Sequence, residues 1–329
     1  MKIRQKINIT LCVALFSLFA TGCVAMTING LNGTQVAVCV VDDANVPIGE
    51  VHTEIFEFHE YNAPFGFTDS NGMYSRHIKN IYGSVVGVFK KEGYYKTIGS
   101  FWKWAGRNEI LPASTNFTIV MKRIENPVPI IYRRIGKDIP VNQEEVFFDL
   151  AVGDWVMPHG KGKSPDISFI GTIRFETRRD LDIEVSATFT DPLSGLRQFS
   201  APSENTEILR STLIPPQIAP TNGYEKTLKM WYSYNSQELR KTNFNSENNY
   251  IFRTRVVTNS VGEIVAANYG WISGDIKVHT TSGAKPWIGF KYYYNPDPHS
   301  RSLEPKDLAD QQAKELAETM RNLNGDKRH

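Results

Sequence analysis

The sequence predicts an all-β protein made of two sandwich domains, and three observations support this fold class. Aromatic residues make up 12% of the chain, with 14 Tyr, 18 Phe and 6 Trp, and such residues favour strands. Short runs of alternating apolar and polar residues, separated by Gly, Asn, Asp and Pro, recur through most of the sequence, as in antiparallel sheets. The length of 329 residues allows two domains of roughly 100–200 residues each.

The chain begins with the pattern of a secretory signal. Basic residues at positions 2, 4 and 6 precede an apolar run, and small residues lead from that run to Cys23. The run is too short for a membrane-spanning helix, which needs roughly 20 apolar residues. We therefore predict a signal peptide over residues 1–22.

The end of this signal resembles a bacterial lipobox. It reads Ala20-Thr21-Gly22-Cys23, with Ala20 where the motif usually has Leu. The resemblance implies that Cys23 is the lipid attachment site and the first residue of the mature protein, so that residues 23–33 form a lipid-anchored tether. We expect a location in the bacterial cell envelope, at the outer membrane or the periplasmic face, with the membrane as a partner through the N-terminal lipid.

Charge and cysteine content narrow the function classes. Without the three basic residues of the signal, the mature chain has 34 basic and 35 acidic residues, a net charge of −1. Such a chain offers no broad attraction to phosphates, so we expect no nucleic-acid partner. Cys39 is the only cysteine that follows Cys23, which leaves no pair for a disulfide once Cys23 carries lipid.

Residues 34–123 predict a small antiparallel sandwich of seven strands. The pair Asn71-Gly72 predicts a primed hairpin turn, because Gly supplies the positive φ that this turn needs. A calcium site on Asp69, Ser70 and Asn71 is the alternative, but no acidic ligand follows at EF-hand spacing. The predicted strands are Gln35–Val41, Val51–Phe58, Phe65–Thr68, Met73–Ile78, Ser84–Phe89, Tyr94–Ile98 and Phe117–Lys122.

Three motifs follow one another in this segment: Val40-Val41-Asp42 with Asn45-Val46-Pro47-Ile48-Gly49, then Thr68-Asp69-Ser70-Asn71-Gly72-Met73-Tyr74, then Lys90-Lys91-Glu92-Gly93-Tyr94. In this order they resemble the carboxypeptidase regulatory-like, or transthyretin-like, domain. The resemblance covers less than a third of the chain. It implies a seven-stranded sandwich that accompanies another domain in a binding, spacing or folding role, and it implies no activity.

The rest of the chain predicts a linker, a larger domain and a terminal helix. Residues 124–140 contain three prolines, which favour an extended linker. Residues 141–300 are rich in strand patterns and predict a second β-sandwich or a jelly roll. Residues 301–329 predict a C-terminal helix and tail, because apolar residues recur there at helical spacing.

The second domain is similar to the companion domain of uncharacterised exported bacterial proteins, a similarity that implies no function. It rests on four short segments: Phe148-Asp149-Leu150, Gly153-Asp154-Trp155-Val156, Tyr269-Gly270 and Tyr293-Tyr294-Asn295-Pro296.

The sequence carries no catalytic signature. Its seven histidines form no H-E-x-x-H pair, and C-x-x-C and G-x-S-x-G do not occur. We therefore predict no metal, no cofactor and no enzyme. The stretch 160–164 is unlike a phosphate loop, because Met157 stands where that motif needs Gly and Pro165 opposes the helix that would follow.

One polar loop supplies the candidate ligand-binding residues. Its Trp would stack on a sugar ring, and its acids would accept hydroxyl protons. The alternative, which the sequence favours, is a surface crossover with a buried Trp. The candidate residues are Asp154, Trp155, His159, Lys161, Lys163 and Asp166.

Aromatic residues are also dense at 231–234 and 287–294. Neighbouring residues of a strand face opposite sides, so one face of each segment would belong to the core. The other face would be an exposed binding platform or, as the favoured alternative, would take part in further cross-strand packing.

Together these features predict a lipid-anchored envelope protein that acts as a binding or structural module, with a glycan or an envelope protein as its partner. The alternative is a hydrolase of polysaccharides that uses acids of the second domain, such as Asp149, Asp154 and Asp166. Such an enzyme needs two carboxylates roughly 5–10 Å apart across a cleft.

Overall fold

A computed structural model of the chain describes residues 33–57, 64–78, 85–100, 114–201, 210–235, 239–281 and 285–306. Within these ranges the chain forms strands and no helix, which confirms the all-β prediction. No helix of this part is long and apolar enough to cross a membrane. The predicted signal peptide, the lipid attachment site Cys23 and nearly all of the predicted C-terminal helix lie outside the described residues.

The described strands form two sandwiches. The first contains β1 (Thr34–Val41), β2 (His52–Glu57), β3 (Phe65–Phe67), β4 (Met73–Ile78), β5 (Val85–Lys90), β6 (Thr97–Ser100) and β7 (Ser114–Val120). The chain continues with β8 (Ile131–Asp138), β9 (Glu145–Asp149), β10 (Asp154–Trp155), β11 (Ile167–Thr177), β12 (Asp180–Phe189) and β13 (Gly195–Ser200). It ends with β14 (Arg210–Ser211), β15 (Thr227–Asn235), β16 (Leu239–Thr242), β17 (Asn248–Thr258), β18 (Ile264–His279) and β19 (Trp287–Tyr294).

The first sandwich packs a sheet of order β4-β1-β7 against a sheet of order β14-β6-β5-β2-β3. Strand β1 contains the predicted strand Gln35–Val41, and its residues Val36, Val38 and Val40 are buried in the core between the sheets. One pairing departs from the predicted antiparallel arrangement, because β1 and β7 run parallel.

The turn at Gly72 is not the predicted hairpin. Strand β3 pairs with β2, whereas β4 pairs with β1 in the other sheet, so the turn connects two sheets. Gly72 has φ +73°, but Asn71 has no positive φ, which excludes a primed type I′ turn. Asp69 fixes a different turn. Its Oδ1 accepts the N–H groups of Asn71 and Met73, and its carbonyl accepts the N–H of Gly72.

The second sandwich packs a sheet of order β10-β9-β11-β12-β15-β16 against a sheet of order β13-β17-β18-β19-β8. Every second residue of β19 points into the core between them, and Ile288, Phe290, Tyr292 and Tyr294 are buried there. The larger sandwich predicted from the sequence is therefore present.

The predicted linker 124–140 needs a correction, because most of it is structured. Strand β8 lies inside it and pairs antiparallel with β19 along its full length, from Ile131 opposite Tyr294 to Asp138 opposite Trp287. The prolines that suggested a linker lie before and after the strand. Flanking prolines do not disturb the ladder of an edge strand.

The two sandwiches meet at a packed junction. Strand β14, which follows the second sandwich's β13, pairs with β6 of the first. Glu304 is completely buried, and its carboxylate accepts the N–H groups of Glu125 and Asn126, both at 2.9 Å. The hydroxyl of Tyr95 donates to the same carboxylate at 3.2 Å. The residues after β19 therefore hold the chain where it leaves the first sandwich.

Candidate functional site

The loop predicted as a ligand site is folded around the carboxylate of Asp149. Oδ1 accepts the N–H groups of Ala151 and Val152, and Oδ2 accepts those of Lys163 at 2.9 Å and Ser164 at 3.0 Å. Both ends of the loop are thereby fixed to one side chain, which is 2% exposed. The backbone of this polar loop uses Asp149 as an internal acceptor.

The protonation of Asp149 reflects this environment. Burial alone raises the pKa of a carboxyl group. The hydrogen bonds from Lys163, Ser164 and Val152, together with the charge of Arg255, outweigh burial, so the pKa of Asp149 lies below its ordinary value.

Asp154 holds the middle of the same loop. Its carboxylate accepts the N–H groups of Trp155 at 2.9 Å and Lys161 at 3.0 Å, and it forms an ion pair with Lys137 of β8. Burial raises the pKa of Asp154. The hydrogen bonds from Lys137 and from the backbone lower it by more, so the pKa of Asp154 lies below its ordinary value.

Asp166 is also 2% exposed and is occupied by internal partners. The guanidinium of Arg255 binds both of its oxygens, and Nη2 of Arg255 also reaches Asp149 at 2.8 Å. The hydroxyl of Thr254 and the N–H of Leu150 complete the set, at 2.9 and 2.8 Å. Arg255 adopts a φ of +54° where β17 shifts register against β18.

The structure contradicts the hypothesis that Trp155 stacks on a ligand and agrees with the alternative that the sequence favoured, a buried Trp. Its side chain is 4% exposed and lies in the main core. The ring meets Phe148 at 5.3 Å and Phe169 at 5.6 Å, both nearly perpendicular. Trp155 lies opposite Phe148 on the neighbouring strand, so its side chain shares the inward face of the sheet.

The remaining candidates of the loop lie on the outside. His159, Lys161 and Lys163 are exposed, whereas Trp155 and Asp166 are buried. The structure therefore does not bring the six predicted residues together in one cleft.

The tyrosines of β19 are buried on both faces of the sheet. Tyr292 and Tyr294 belong to the main core. Tyr293, on the other face, stacks on Trp271 at 3.8 Å with an angle of 11° between the rings. Packing, the alternative that the sequence favoured for this segment, accounts for all three.

A groove of about 360 Å³ opens beside the first half of β19, where β8, β18 and β19 meet. The sequence offered the aromatic segment 287–294 as an exposed binding platform, the less favoured alternative, but it did not predict that β8 would form part of the site. Its walls combine cationic, aromatic and small residues from these strands and from the segment before β17. They include Arg134, Phe244, Asp275, Lys277, Trp287 and Lys291.

The register of the three strands arranges the groove in cross-strand rows. His279, Trp287 and Asp138 form one row, and Lys277, Gly289 and Gly136 form the next. Ser273, Lys291 and Arg134 form a third. Residues two apart on a strand share a face, so all three rows lie on the same side of the sheet.

The two glycines of the middle row make room for the Trp287 indole. A Cβ at Gly289 would collide with the indole ring, and one at Gly136 would lie 3.0 Å from its Cζ2 atom. The imidazole of His279 stacks on the same indole at 4.0 Å. Trp287 is half-buried, so part of its ring faces solvent and lines the groove.

The carboxylate of Asp275, a residue that lines the groove, accepts hydrogen bonds from other residues of the chain. It is 7% exposed and accepts the hydroxyl of Tyr250 at 2.9 Å, the N–H of Asn245 at 3.0 Å and the amide of Asn248 at 3.2 Å. Burial first, and then the charge of Asp275, raises the pKa of Tyr250. Asp275 therefore positions the segment that carries Phe244, whose ring contacts the Lys277 ammonium at 5.5 Å.

Among the described residues, no cluster of His, Cys, Asp and Glu is arranged to hold a metal ion.

Comparison with known proteins leaves the function open. No family model and no curated protein match the chain. A 3-chlorocatechol 1,2-dioxygenase from Rhodococcus opacus 1CP matches with 13% identity and a TM-score of 0.23, over 28% of this chain and 61% of the dioxygenase. A DUF3823 family protein from Parabacteroides merdae ATCC 43184 matches with 6% identity and a TM-score of 0.20, over 84% and 99% of the two chains.

A third solved structure is a protein of unknown function from Bacteroides fragilis NCTC 9343, provisionally described as membrane-associated. It matches with 6% identity and a TM-score of 0.20, over 80% of this chain and 96% of its own. These TM-scores are too low to transfer an activity or a partner. The resemblance of residues 34–123 to the regulatory-like domain stays a prediction.

Proposed function

We propose that this protein is a lipid-anchored binding module of the bacterial envelope and that the groove of β8, β18 and β19 binds its ligand, a glycan. One observation carries the proposal: a half-buried indole and three cationic side chains line the same groove of about 360 Å³. Pockets of roughly 300–1,000 Å³ hold small ligands, and an indole offers a sugar ring a flat apolar face.

The position of the groove suits a protein that is anchored at its N-terminus. Strand β1 begins at Thr34, after the predicted tether, and its last residue, Val41, accepts the N–H of Met121 near the junction. Strand β8 leaves the junction at Ile131 and ends opposite Trp287. The first residue of β1 therefore lies the length of this strand from the junction, and the Trp287 end of the groove lies the length of β8 from it. The first sandwich, which resembles a regulatory-like domain, would act as a spacer.

The acidic residues favour binding over hydrolysis. A glycosidase needs one carboxyl group whose pKa is raised so that it donates a proton. The pKa values of Asp149 and Asp154 are instead lowered, and Asp166 is buried and bound to Arg255. We propose that the second domain binds its ligand without turnover.

The test is a glycan array probed with the full-length protein, its Trp287→Ala variant and a matched Trp231→Ala variant. Trp231 is 38% exposed on β15 of the other sheet. We expect the wild type and Trp231→Ala to bind a common set of glycans, and Trp287→Ala to lose them while its melting temperature shows a folded protein. Binding by no glycan, or equal binding by all three proteins, would contradict the proposal.

The anchor has its own test. Metabolic labelling with a fatty acid should mark the wild-type protein and leave Cys23→Ser unlabelled as an unprocessed precursor. Equal labelling of both proteins would exclude Cys23 as the lipid attachment site.

A further inference from the structure

We infer that the groove selects an acidic sugar, one that carries a carboxylate or a sulfate group. The inference rests on the proposed function, since it concerns the ligand of the same groove. It follows from the balance of charges around the groove, from the pairing of its cations and from the order of the cross-strand rows.

The charges that line the groove are mostly positive. Arg134, Lys277 and Lys291 face it from three neighbouring strands, and Asp275 is the only acid that lines it among the described residues. The Asp275 carboxylate already accepts hydrogen bonds from Tyr250, Asn245 and Asn248. A ligand therefore meets three cations and one carboxylate whose acceptor sites are occupied.

Two of the three cations, Arg134 and Lys277, have no counterion within the described part of the chain. Within the described part of the chain, no carboxylate lies at ion-pair distance from Arg134 or Lys277, and both side chains are exposed. By contrast, an aspartate forms an ion pair with each of Lys137, Arg174 and Arg255. The acid of the indole row, Asp138, lies opposite Trp287, accepts a hydrogen bond from Thr281 at 3.1 Å and is not among the residues that line the groove.

The rows place Trp287 at one end of the groove, Arg134 and Lys291 at the other, and Lys277 in the row between them. The row of Trp287 and the row of Arg134 and Lys291 are separated by the row of Gly136 and Gly289. Four residues along a strand span about 13 Å. The indole itself lies over the two glycines, so a sugar stacked on the solvent-facing part of this ring would direct its acidic group towards the cations. Arginine matches the planar, two-oxygen geometry of a carboxylate.

The experiment measures binding of three oligosaccharide probes by isothermal titration calorimetry with the full-length protein in detergent. The probes are oligogalacturonate, sulfated dextran oligosaccharide and the neutral cello-oligosaccharide. The proteins are the wild type, the double variant Arg134→Gln/Lys277→Gln and the control Lys229→Gln. Lys229 is exposed on β15 of the opposite sheet, so its replacement removes a positive charge away from the groove.

We expect the wild type and Lys229→Gln to bind an acidic probe about tenfold or more tightly than the neutral one, and the double variant to lose about tenfold or more of that affinity. The comparison of the two acidic probes identifies the preferred group.

If the neutral probe binds as well as the acidic ones and the double variant behaves like wild type, the inference is wrong although the proposed function stands. If Lys229→Gln weakens binding as much as the double variant, the attraction is unspecific and the inference is also wrong. If no probe and no arrayed glycan binds, the proposed function itself fails.

Discussion

Arg255 binds Asp166 through two parallel hydrogen bonds, from Nε to Oδ1 at 2.8 Å and from Nη2 to Oδ2 at 2.9 Å. Arg255 belongs to one sheet of the second sandwich, and Asp166 directly precedes β11 of the other. The pair therefore joins the two sheets at the end where the polar loop lies. The positive φ of Arg255 is a backbone cost that accompanies this contact.

Replacing Asp166 by Asn should destabilise the protein by about 3 kcal/mol, because it removes the carboxylate that binds two nitrogens of Arg255 and leaves this cation only its ion pair with Asp149. Urea denaturation measures the change. Asp180→Asn is the matched control, since Asp180 pairs with Arg174 on an exposed hairpin and such pairs contribute little. Equal stability of Asp166→Asn and Asp180→Asn would show that the Arg255 contact does not hold the sheets together.

Trp155→Ala should cost about 3–5 kcal/mol, as expected for the loss of a large buried aromatic ring. The ring packs edge-on against Phe148 and Phe169, so its removal opens a cavity beside these two rings. Trp231→Ala, in which a 38% exposed ring is removed, should cost much less. Thermal and urea melts of the two variants give the comparison. A stable Trp155→Ala protein with altered glycan binding would restore the view that Trp155 contacts the ligand.

The contrast between β1 and Trp155 shows what the sequence could reveal. Strand β1 has eight residues, enough for the alternation of Val36, Val38 and Val40 to identify the core face. Strand β10 has two residues, Asp154 and Trp155, and no alternation is visible over that length. The polar neighbours of Trp155 suggested a surface site. In the structure Trp155 lies opposite the buried Phe148 of β9, so its ring points into the core.

The sequence did not predict the groove between β8, β18 and β19 for a different reason. Its rows depend on the register between β8 and β19, two segments about 150 residues apart in the sequence. The pattern Trp287, Gly289, Lys291 places an indole, a gap and a cation on one face, a signal that reading in steps of two would have found. Its partner strand was missed because the flanking prolines suggested a linker.

Gly72 and Gly93 form a matched pair for testing the turn that connects the two sheets of the first sandwich. Both have positive φ, +73° and +80°. A Cβ at Gly72 would collide with the carbonyl oxygen of Val40, whereas a Cβ at Gly93 would meet no atom within 4 Å. Gly93→Ala should therefore cost about 1 kcal/mol from backbone strain alone.

Gly72→Ala should cost clearly more than Gly93→Ala, because the collision with Val40 adds to the same strain. Chemical denaturation of the full-length chain, followed by fluorescence, gives both values. Similar losses for the two variants would mean that the backbone at Gly72 adapts, and that the Asp69 turn is looser than its hydrogen bonds indicate.

The polar loop should also give the protein a defined response to acid. The pKa of Asp154 is lowered in the folded state, so folding favours its ionised form. The stability that this carboxylate supplies is present above the ordinary pKa of about 3.9 and is lost as the pH falls through the lower, folded pKa.

In Asp154→Asn the residue cannot ionise, and the hydrogen bonds to Trp155, Lys161 and Lys137 lose their charged acceptor. The difference in unfolding free energy between wild type and Asp154→Asn should therefore be constant at neutral pH and should shrink below about pH 4. Urea titrations from about pH 7 to about pH 3 measure this difference, and a difference that stays constant or grows on acidification would show that the ionised Asp154 does not stabilise the loop.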